Sequence, residues 1–210
     1  MRFRSHFATL VGTMLVAALC VSAAGVAGAA PETNGTKVPL TDWVSRFCTT
    51  FAVYETDALA AAAKLQTAVA GVKDSSEGAN ATSDLAAALT KVSETAQAAA
   101  TAATANGVPD VAKGAALARE IEGTLVDASK AYAKAAKKAP SLPTAPAKLN
   151  RAARSISRDL AVALAPNTPH AKRLKRLDTS NAVAKAISAD PVCSAARAAT
   201  GTTTPTTSTP

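Results

Sequence analysis

The sequence predicts an all-α protein: an antiparallel four-helix bundle with a short C-terminal helix, closed by one disulfide and followed by a disordered Thr/Pro tail. Alanine, which has the highest helix propensity, makes up about a quarter of the 210 residues. Only 3% of the residues are aromatic, so the composition is poor in the side chains that strands favour. Apolar residues recur at alternating steps of three and four, the spacing of a buried helical stripe.

Residues 1–29 predict a signal peptide. Arg2 and Arg4 form a basic start, residues 7–30 carry no charge, and Ala27-Gly28-Ala29 fits the small-x-small cleavage pattern. An uncharged run of this length is also long enough to span a bilayer, so a retained membrane anchor is the alternative. Cleavage near Ala29 would place the mature protein outside the cytoplasmic membrane, either secreted or in the periplasm or cell envelope.

A polar linker over residues 30–41 leads into the first helix, which is predicted to begin after Thr41 with Asp42 at its positive end. The helix continues for about thirty residues, to a break at residues 74–80. Its inward stripe consists of Val44, Phe47, Phe51, Tyr54, Ala58, Ala61, Leu65, Ala68 and Val72. Trp43, at the helix start, is interpreted as an anchor of the bundle end, with a carbohydrate platform as the alternative.

Three further long helices are predicted from the same periodicity and from Pro and Gly boundaries. They run from Thr82 or Ser83 to Asn106, from Pro109-Asp110 to about Ala139, and over residues 148–164. A basic segment over residues 170–177 and a short helix near residues 180–189 complete a helical domain spanning residues 42–196. The remaining residues 197–210 are predicted to be a disordered tail, whose Thr, Ser and Pro content suggests O-glycosylation.

Cys48 and Cys193 are the two cysteines of the mature chain, and in an exported protein such a pair predicts a disulfide. In an up-down-up-down bundle the first helix starts at the end where the fourth helix finishes, so the two cysteines would meet there. Free thiols and a metal site are the alternatives. Zinc would need two more ligands, and His170 is the only histidine after residue 29.

The common catalytic and cofactor motifs are missing from the sequence: it has no Gly-x-Ser-x-Gly, Gly-rich phosphate loop, His-Glu-x-x-His or Cys-x-x-Cys. His170 is interpreted as a solvated loop residue, and Asp42, Glu55 and Asp57 as ordinary residues of polar helix faces. We therefore expect no enzyme, no catalytic residue, no metal and no cofactor. A hydrolase whose site is assembled from dispersed residues is the alternative.

Charge is distributed unevenly along the chain: residues 31–129 contain 7 basic and 12 acidic residues, and residues 130–210 contain 14 basic and 3 acidic residues. Two cationic clusters in the second part are the candidate anion-binding residues: Lys148, Arg151, Arg154 and Arg158 on one helix stripe, and Lys172, Arg173, Lys175 and Arg176. The alternative is a solvated polar face whose charge is neutralised by the acidic helices.

These observations predict a secreted, non-enzymatic protein that binds an anionic envelope polymer or a membrane surface through its basic C-terminal half. Nucleic acid is not expected as a partner, because aromatic side chains for base stacking are scarce. A carrier that holds a small apolar ligand in the Ala-lined bundle interior is the second hypothesis.

The export signal, the Ala-rich helices, the single cysteine pair and the Thr-Pro tail together resemble small secreted helical proteins of actinobacteria. The resemblance is general and extends over the whole chain, and no single motif carries it. It implies a location in the envelope or outside the cell and assigns no functional residue.

Overall fold

The computed structural model describes residues 35–199, without the side chain of Ala199, and this part of the chain is all-helical. Seven α-helices and one short pair of strands lie within it. The predicted signal peptide or anchor (residues 1–29) lies outside the described residues, as does the tail from Thr200. Residues 197–199, predicted to belong to the tail, are helical instead.

Along the chain, the elements are β1 Lys37–Val38, α1 Leu40–Ala70, α2 Ser75–Ala105, β2 Val108–Pro109, α3 Gly114–Lys138, a 3-10 turn Ala139–Ser141, α4 Pro146–Ala163, α5 Pro169–Leu177, α6 Ala182–Ala189 and α7 Pro191–Ala199. The all-helical prediction is confirmed, and the helix ends differ from the predicted ones at several positions.

The largest difference is at the start of α2, which begins at Ser75 rather than at Thr82 or Ser83. The Asp74 side chain accepts hydrogen bonds from the backbone N–H groups of Ser76 and Glu77, and Glu77 accepts one from Lys73 N–H. These bonds satisfy donors that a helix start leaves open. The run from Asp74 to Asn80 was predicted to be a break after the first helix. It forms the cap and the first turns of α2 instead.

The linker before α1 contains β1, which pairs in parallel with β2 through Lys37 opposite Val108 and Val38 opposite Pro109. Pro109 was predicted to open the third helix. Its use in a strand moves that helix start to Gly114. Gly107 makes the turn before β2 with φ of 89°, a conformation that glycine adopts without strain.

The core is built around an aromatic ladder on α1. Trp43, Phe47, Phe51 and Tyr54 follow one another at ring-centroid distances of 5.2, 5.1 and 5.6 Å. Trp43 is 0% exposed, and its Nε1–H donates to the carbonyl oxygen of Ala103 at the end of α2. Trp43 thus joins the ends of two helices, and its buried indole is not available as a carbohydrate platform.

Helix α2 packs against both α1 and α3, and α4 packs against α1 and α3. Lys64 of α1 pairs with Asp84 of α2 at 2.7 Å, and Asp57 pairs with Lys91 at 2.9 Å. Between α2 and α3, the hydroxyl of Ser93 donates to Ser129 C=O, and the hydroxyl of Ser129 donates to Ser93 C=O. Small facing residues allow this close approach, because an alanine adds only one methyl group between two backbones.

Cys48 of α1 and Cys193 of α7 form a disulfide with a Cα–Cα distance of 5.3 Å. The predicted pairing is confirmed. As a disulfide, the two sulfur atoms offer no thiolate to a metal, although the carboxylate of Asp190 lies close to them. That carboxylate instead accepts hydrogen bonds from the N–H groups of Val192 and Cys193 at the start of α7.

The prediction that Glu55 and Asp57 are ordinary polar-face residues is wrong. Glu55 is 4% exposed and Asp57 is 7% exposed. Asp57 lies toward Lys91 of α2, and Glu55 lies 3.7 Å from Arg197 of α7. These cations come from elsewhere in the chain, so α1 buries its carboxylates against neighbours that its own sequence does not indicate.

Candidate functional site

Helix α4 presents the first predicted cationic cluster on its outer face. Lys148, Arg151, Arg154 and Arg158 are all exposed. The opposite face, formed by Leu149, Ala153, Ile156 and Leu160, is buried. The prediction that these four cations lie on one stripe of the helix is therefore correct. The buried apolar positions determine which face of α4 turns toward α1 and α3, and the basic positions lie on the opposite face.

The second cluster lies on α5, which was predicted only as a basic segment. Thr168 caps this helix by accepting a hydrogen bond from Ala171 N–H, and Leu174 is buried beneath it. Lys172 and Arg176 are exposed, whereas Lys175 and Arg173 are partly buried. The Nε–H of Arg173 donates to Glu120 of α3 at 2.7 Å, so part of its charge is compensated within the protein.

His170 does not lie in a solvated loop, and that prediction is wrong. Its ring lies in the first turn of α5 with Nδ1 2.6 Å from Glu120 Oε2, and its Nε2 is 3.9 Å from Asp127 Oδ2. The ring also lies against Gly123, where any Cβ would collide with it. The missing side chain at Gly123 is the sequence signal for this contact, and it has meaning only once α5 is placed on α3.

A third group of cations lies in the last turns of α3, where positive charge interacts favourably with the helix dipole. Lys130, Lys134, Lys137 and Lys138 line one depression of about 500 Å³ on α3 together with Ser141. Lys138 also pairs with Asp159 of α4 at 2.9 Å, and its hydrogen bond and charge lower the pKa of that exposed carboxyl. Lys130 and Lys134 are four residues apart, and Lys137 and Lys138 follow Lys134 by three and four residues, so this spacing is the signal that places them on one side of the helix.

A groove of about 730 Å³ runs between the second half of α1 and the second half of α4. Ala62, Leu65 and Val69 of α1 and Ala161 of α4 form its apolar floor, and Arg154 and Arg158 stand at its edge. The two arginines therefore belong both to the α4 cluster and to this groove. The groove is not indicated by the sequence, since its width depends on the distance between two helices.

A second cavity, between α1, α3 and the connection after α4, is much smaller than this groove. This cavity has about 40 Å³ and is lined by residues that include Phe51, Tyr54, Ala128 and Leu164. A volume of that size accommodates a few water molecules at most. The apolar ligand predicted for the bundle interior does not fit into this space.

Three buried titratable groups lie on the inner side of α1 and α3. Burial raises the pKa of Glu55 to about 7, and the positive charge of Arg197 acts in the opposite direction. Burial likewise raises the pKa of Tyr132 to about 12 and that of Tyr54 well above its ordinary value. Both tyrosines are therefore neutral at physiological pH and serve as hydrogen-bonding core residues.

Within residues 35–199, none of the helices combines the length and the hydropathy that crossing a bilayer requires. In comparisons with known proteins, no protein-family model, no curated protein and no solved structure matches the chain.

Proposed function

We propose that this chain is an exported, non-enzymatic helical protein that binds anionic polymers or lipid headgroups of a cell envelope through its basic C-terminal half. The observation that carries the proposal is the basic face of α4, whose four cations are exposed while the apolar face is buried. Three exposed lysines of α3, Lys130, Lys134 and Lys137, extend the positive charge beyond α4. Exposed cations of this kind attract an anionic leaflet with about 1 kcal/mol each.

The attraction should be electrostatic and therefore sensitive to salt. Between about 0.01 M and 1 M salt, the Debye length falls from about 30 Å to about 3 Å. We expect the protein to sediment with phosphatidylglycerol-containing vesicles at low salt and to be released at high salt. It should not sediment with purely zwitterionic vesicles at either salt concentration.

The decisive comparison uses two triple variants with the same change of net charge. Lys148→Gln, Arg151→Gln and Arg176→Gln together should weaken binding to anionic vesicles about tenfold to a hundredfold. Arg46→Gln, Lys73→Gln and Arg119→Gln together remove three exposed cations from the acidic part of the chain and should change binding less than about threefold. Equal losses in the two variants would mean that net charge, and not the basic face, governs binding.

Export is tested at the N-terminus of the protein recovered outside the secreting cells. We expect its first residue to be Ala30, as cleavage after Ala29 would produce. Recovery of the protein from the membrane fraction with residues 1–29 still attached would favour the anchor instead.

We further propose that the four long helices form an antiparallel bundle. The arrangement is supported by contacts whose positions rise along α1 as they fall along α2: Trp43 with Ala103, Asp57 with Lys91 and Lys64 with Asp84. A zero-length carbodiimide cross-linker should join Lys64 to Asp84 and Lys91 to Asp57. Linkage of Lys64 to Glu94 would instead indicate parallel helices.

A carrier of a small apolar ligand is the second candidate, and the groove between α1 and α4 favours it. Its volume of about 730 Å³ falls within the usual range for ligand clefts, about 300 to 1,000 Å³. Native mass spectrometry of the protein taken directly from its source should then show a mass above that of the polypeptide. A spectrum with bare protein alone would argue against this candidate.

A further inference from the structure

The groove between α1 and α4 combines an apolar surface with positively charged side chains. Its floor is apolar, with Ala62 and Leu65 buried and Val69 and Ala161 partly exposed. Its edge carries the guanidinium groups of Arg154 and Arg158. Among the residues of the described part of the chain that line it, none is acidic. The groove therefore combines two guanidinium groups with an apolar surface, and Gln66, Thr67 and Ser157 add neutral polar groups to its lining.

Asn150 fixes the orientation of one of these arginines. Its side-chain amide donates to the backbone carbonyl of Val69 on α1, and its Oδ1 accepts a hydrogen bond from Arg154 Nε at 2.8 Å. The bond pattern holds α4 against the end of α1 and keeps the Arg154 side chain at the groove. Arg158 follows one turn later on the same side of α4, so two guanidinium groups stand along the same edge.

From this arrangement we infer that the groove binds a single-chain anionic amphiphile, whose alkyl chain lies on the floor and whose carboxylate or phosphate is held by Arg158 and Arg154. The inference rests on the proposed anion binding by α4 and specifies the class of ligand. Guanidinium groups recognise carboxylates and phosphates through paired hydrogen bonds, which a neutral alcohol cannot accept in the same way. A plain polyanion, on the other hand, would leave the apolar floor uncovered.

The probe for the test is dodecyl phosphate, used below the concentration at which it forms micelles and followed by titration calorimetry. Dodecanol and inorganic phosphate are the two partial ligands, each carrying one half of its chemistry. We expect dodecyl phosphate to bind at one site, dodecanol at least about tenfold more weakly, and inorganic phosphate without measurable heat.

Two substitutions address the two halves of the groove, each with a matched control on the surface. Ala63→Trp places a bulky ring at an exposed position lining the groove, and Ala87→Trp places the same ring at an exposed position of α2. Arg158→Gln removes a guanidinium from the edge, and Arg119→Gln removes one from an exposed position of α3. We expect Ala63→Trp and Arg158→Gln to weaken dodecyl phosphate about tenfold, and both controls to stay within about twofold of the parent protein.

Circular dichroism of every variant shows whether it is folded, and Ala161→Phe fills the groove from the opposite helix if Ala63→Trp does not fold. Binding that withstands both groove-filling substitutions overturns the inference, as does equal affinity for dodecanol. Absence of dodecyl phosphate binding in a protein that still sediments with anionic vesicles overturns the groove site alone. Site-specific dodecyl phosphate binding without vesicle binding would instead overturn the proposed surface function.

Discussion

Gly78, in the first turns of α2, packs directly against the backbone carbonyl of Thr144 in the connection before α4, so closely that any Cβ at Gly78 would collide with it. The two residues lie on different elements and meet because α2 begins early, at Ser75. The glycine therefore serves the approach of two backbones, and not the interruption of the helix.

Gly78→Ala should consequently destabilise the protein, although alanine is ordinarily the better helix former by about 1 kcal/mol. We expect a loss of about 1–3 kcal/mol in the free energy of unfolding, the usual cost of forcing extra atoms into a packed site. Urea unfolding followed by the fluorescence of the single tryptophan, Trp43, measures it. Ala98→Gly, at an exposed site of the same helix, should lose only about 1 kcal/mol. A stabilised Gly78→Ala variant would refute the close contact with Thr144.

The Cys48–Cys193 disulfide should contribute more to stability than any single core side chain. The two cysteines are 145 residues apart, and closing a loop of that length restricts the unfolded chain by up to about 5 kcal/mol. Peptide mapping without reductant should recover the two cysteine peptides joined. The double variant Cys48→Ser/Cys193→Ser should unfold at much lower urea concentration, and added reductant should shift the parent protein but not this variant. Alkylatable thiols in the untreated protein would contradict the pairing.

Substitution of Leu125 or Leu65 by alanine should create a cavity, and the two substitutions should lower the free energy of unfolding by different amounts. Both are buried, at 0% and 3% exposure. At such positions, Leu→Ala lowers the free energy of unfolding by about 2–4 kcal/mol. Leu65 borders the open groove between α1 and α4, where water and neighbouring side chains can fill the vacated space. Leu125→Ala should therefore cost more than Leu65→Ala. Val162→Ala, at a position 71% exposed, is the control and should cost less than about 0.5 kcal/mol. A larger loss of stability in Leu65→Ala than in Leu125→Ala would contradict the position of the groove beside Leu65.

Glu55 should make stability depend on pH. Its pKa is about 7 in the folded protein against an ordinary value of 4.5, so the folded state holds this proton more tightly than the unfolded state does. Protonated Glu55 therefore favours the folded state. This stabilising contribution is complete below pH 4.5 and is lost as the pH rises through 7. The loss amounts to about 3 kcal/mol at most.

Glu55→Gln should flatten that part of the stability profile, because a glutamine keeps the size of the side chain and does not titrate. Urea unfolding at a series of pH values measures the slope, and Glu94→Gln, at an exposed position of α2, is the control. An unchanged slope in Glu55→Gln would exclude Glu55 as its source.

The sequence predicted the inner faces of the helices well. The stripe from Val44 to Ala68 is buried, as is the apolar face of α4, because burial of a long amphipathic helix is set by its own periodicity. The cysteine pair was predictable as well, because Cys48 and Cys193 are the two cysteines after residue 29 and each has only the other as a partner there.

The remaining features depend on neighbours that lie far away in the chain. Gly78 was interpreted as part of a break because its partner, Thr144, follows 66 residues later, and His170 was assigned to a loop because its partners are on α3. Burial of Glu55 could not be predicted from the sequence of α1, because its partner Arg197 lies on α7. For the candidate site, the cations of α4 could be predicted from one helix, whereas the groove beside them arises from two.

The bond between Cys48 and Cys193 also determines what a protease can do to this protein. A single cut anywhere between these two positions opens a loop but leaves one covalent molecule, because both pieces stay attached through the sulfur atoms. Such a nicked form has almost the mass of the intact chain, differing by one added water, and it separates into fragments only after reduction. Damage to the connections between the helices would thus leave the parts of the molecule tethered, with the cationic helix α4 still joined to α1.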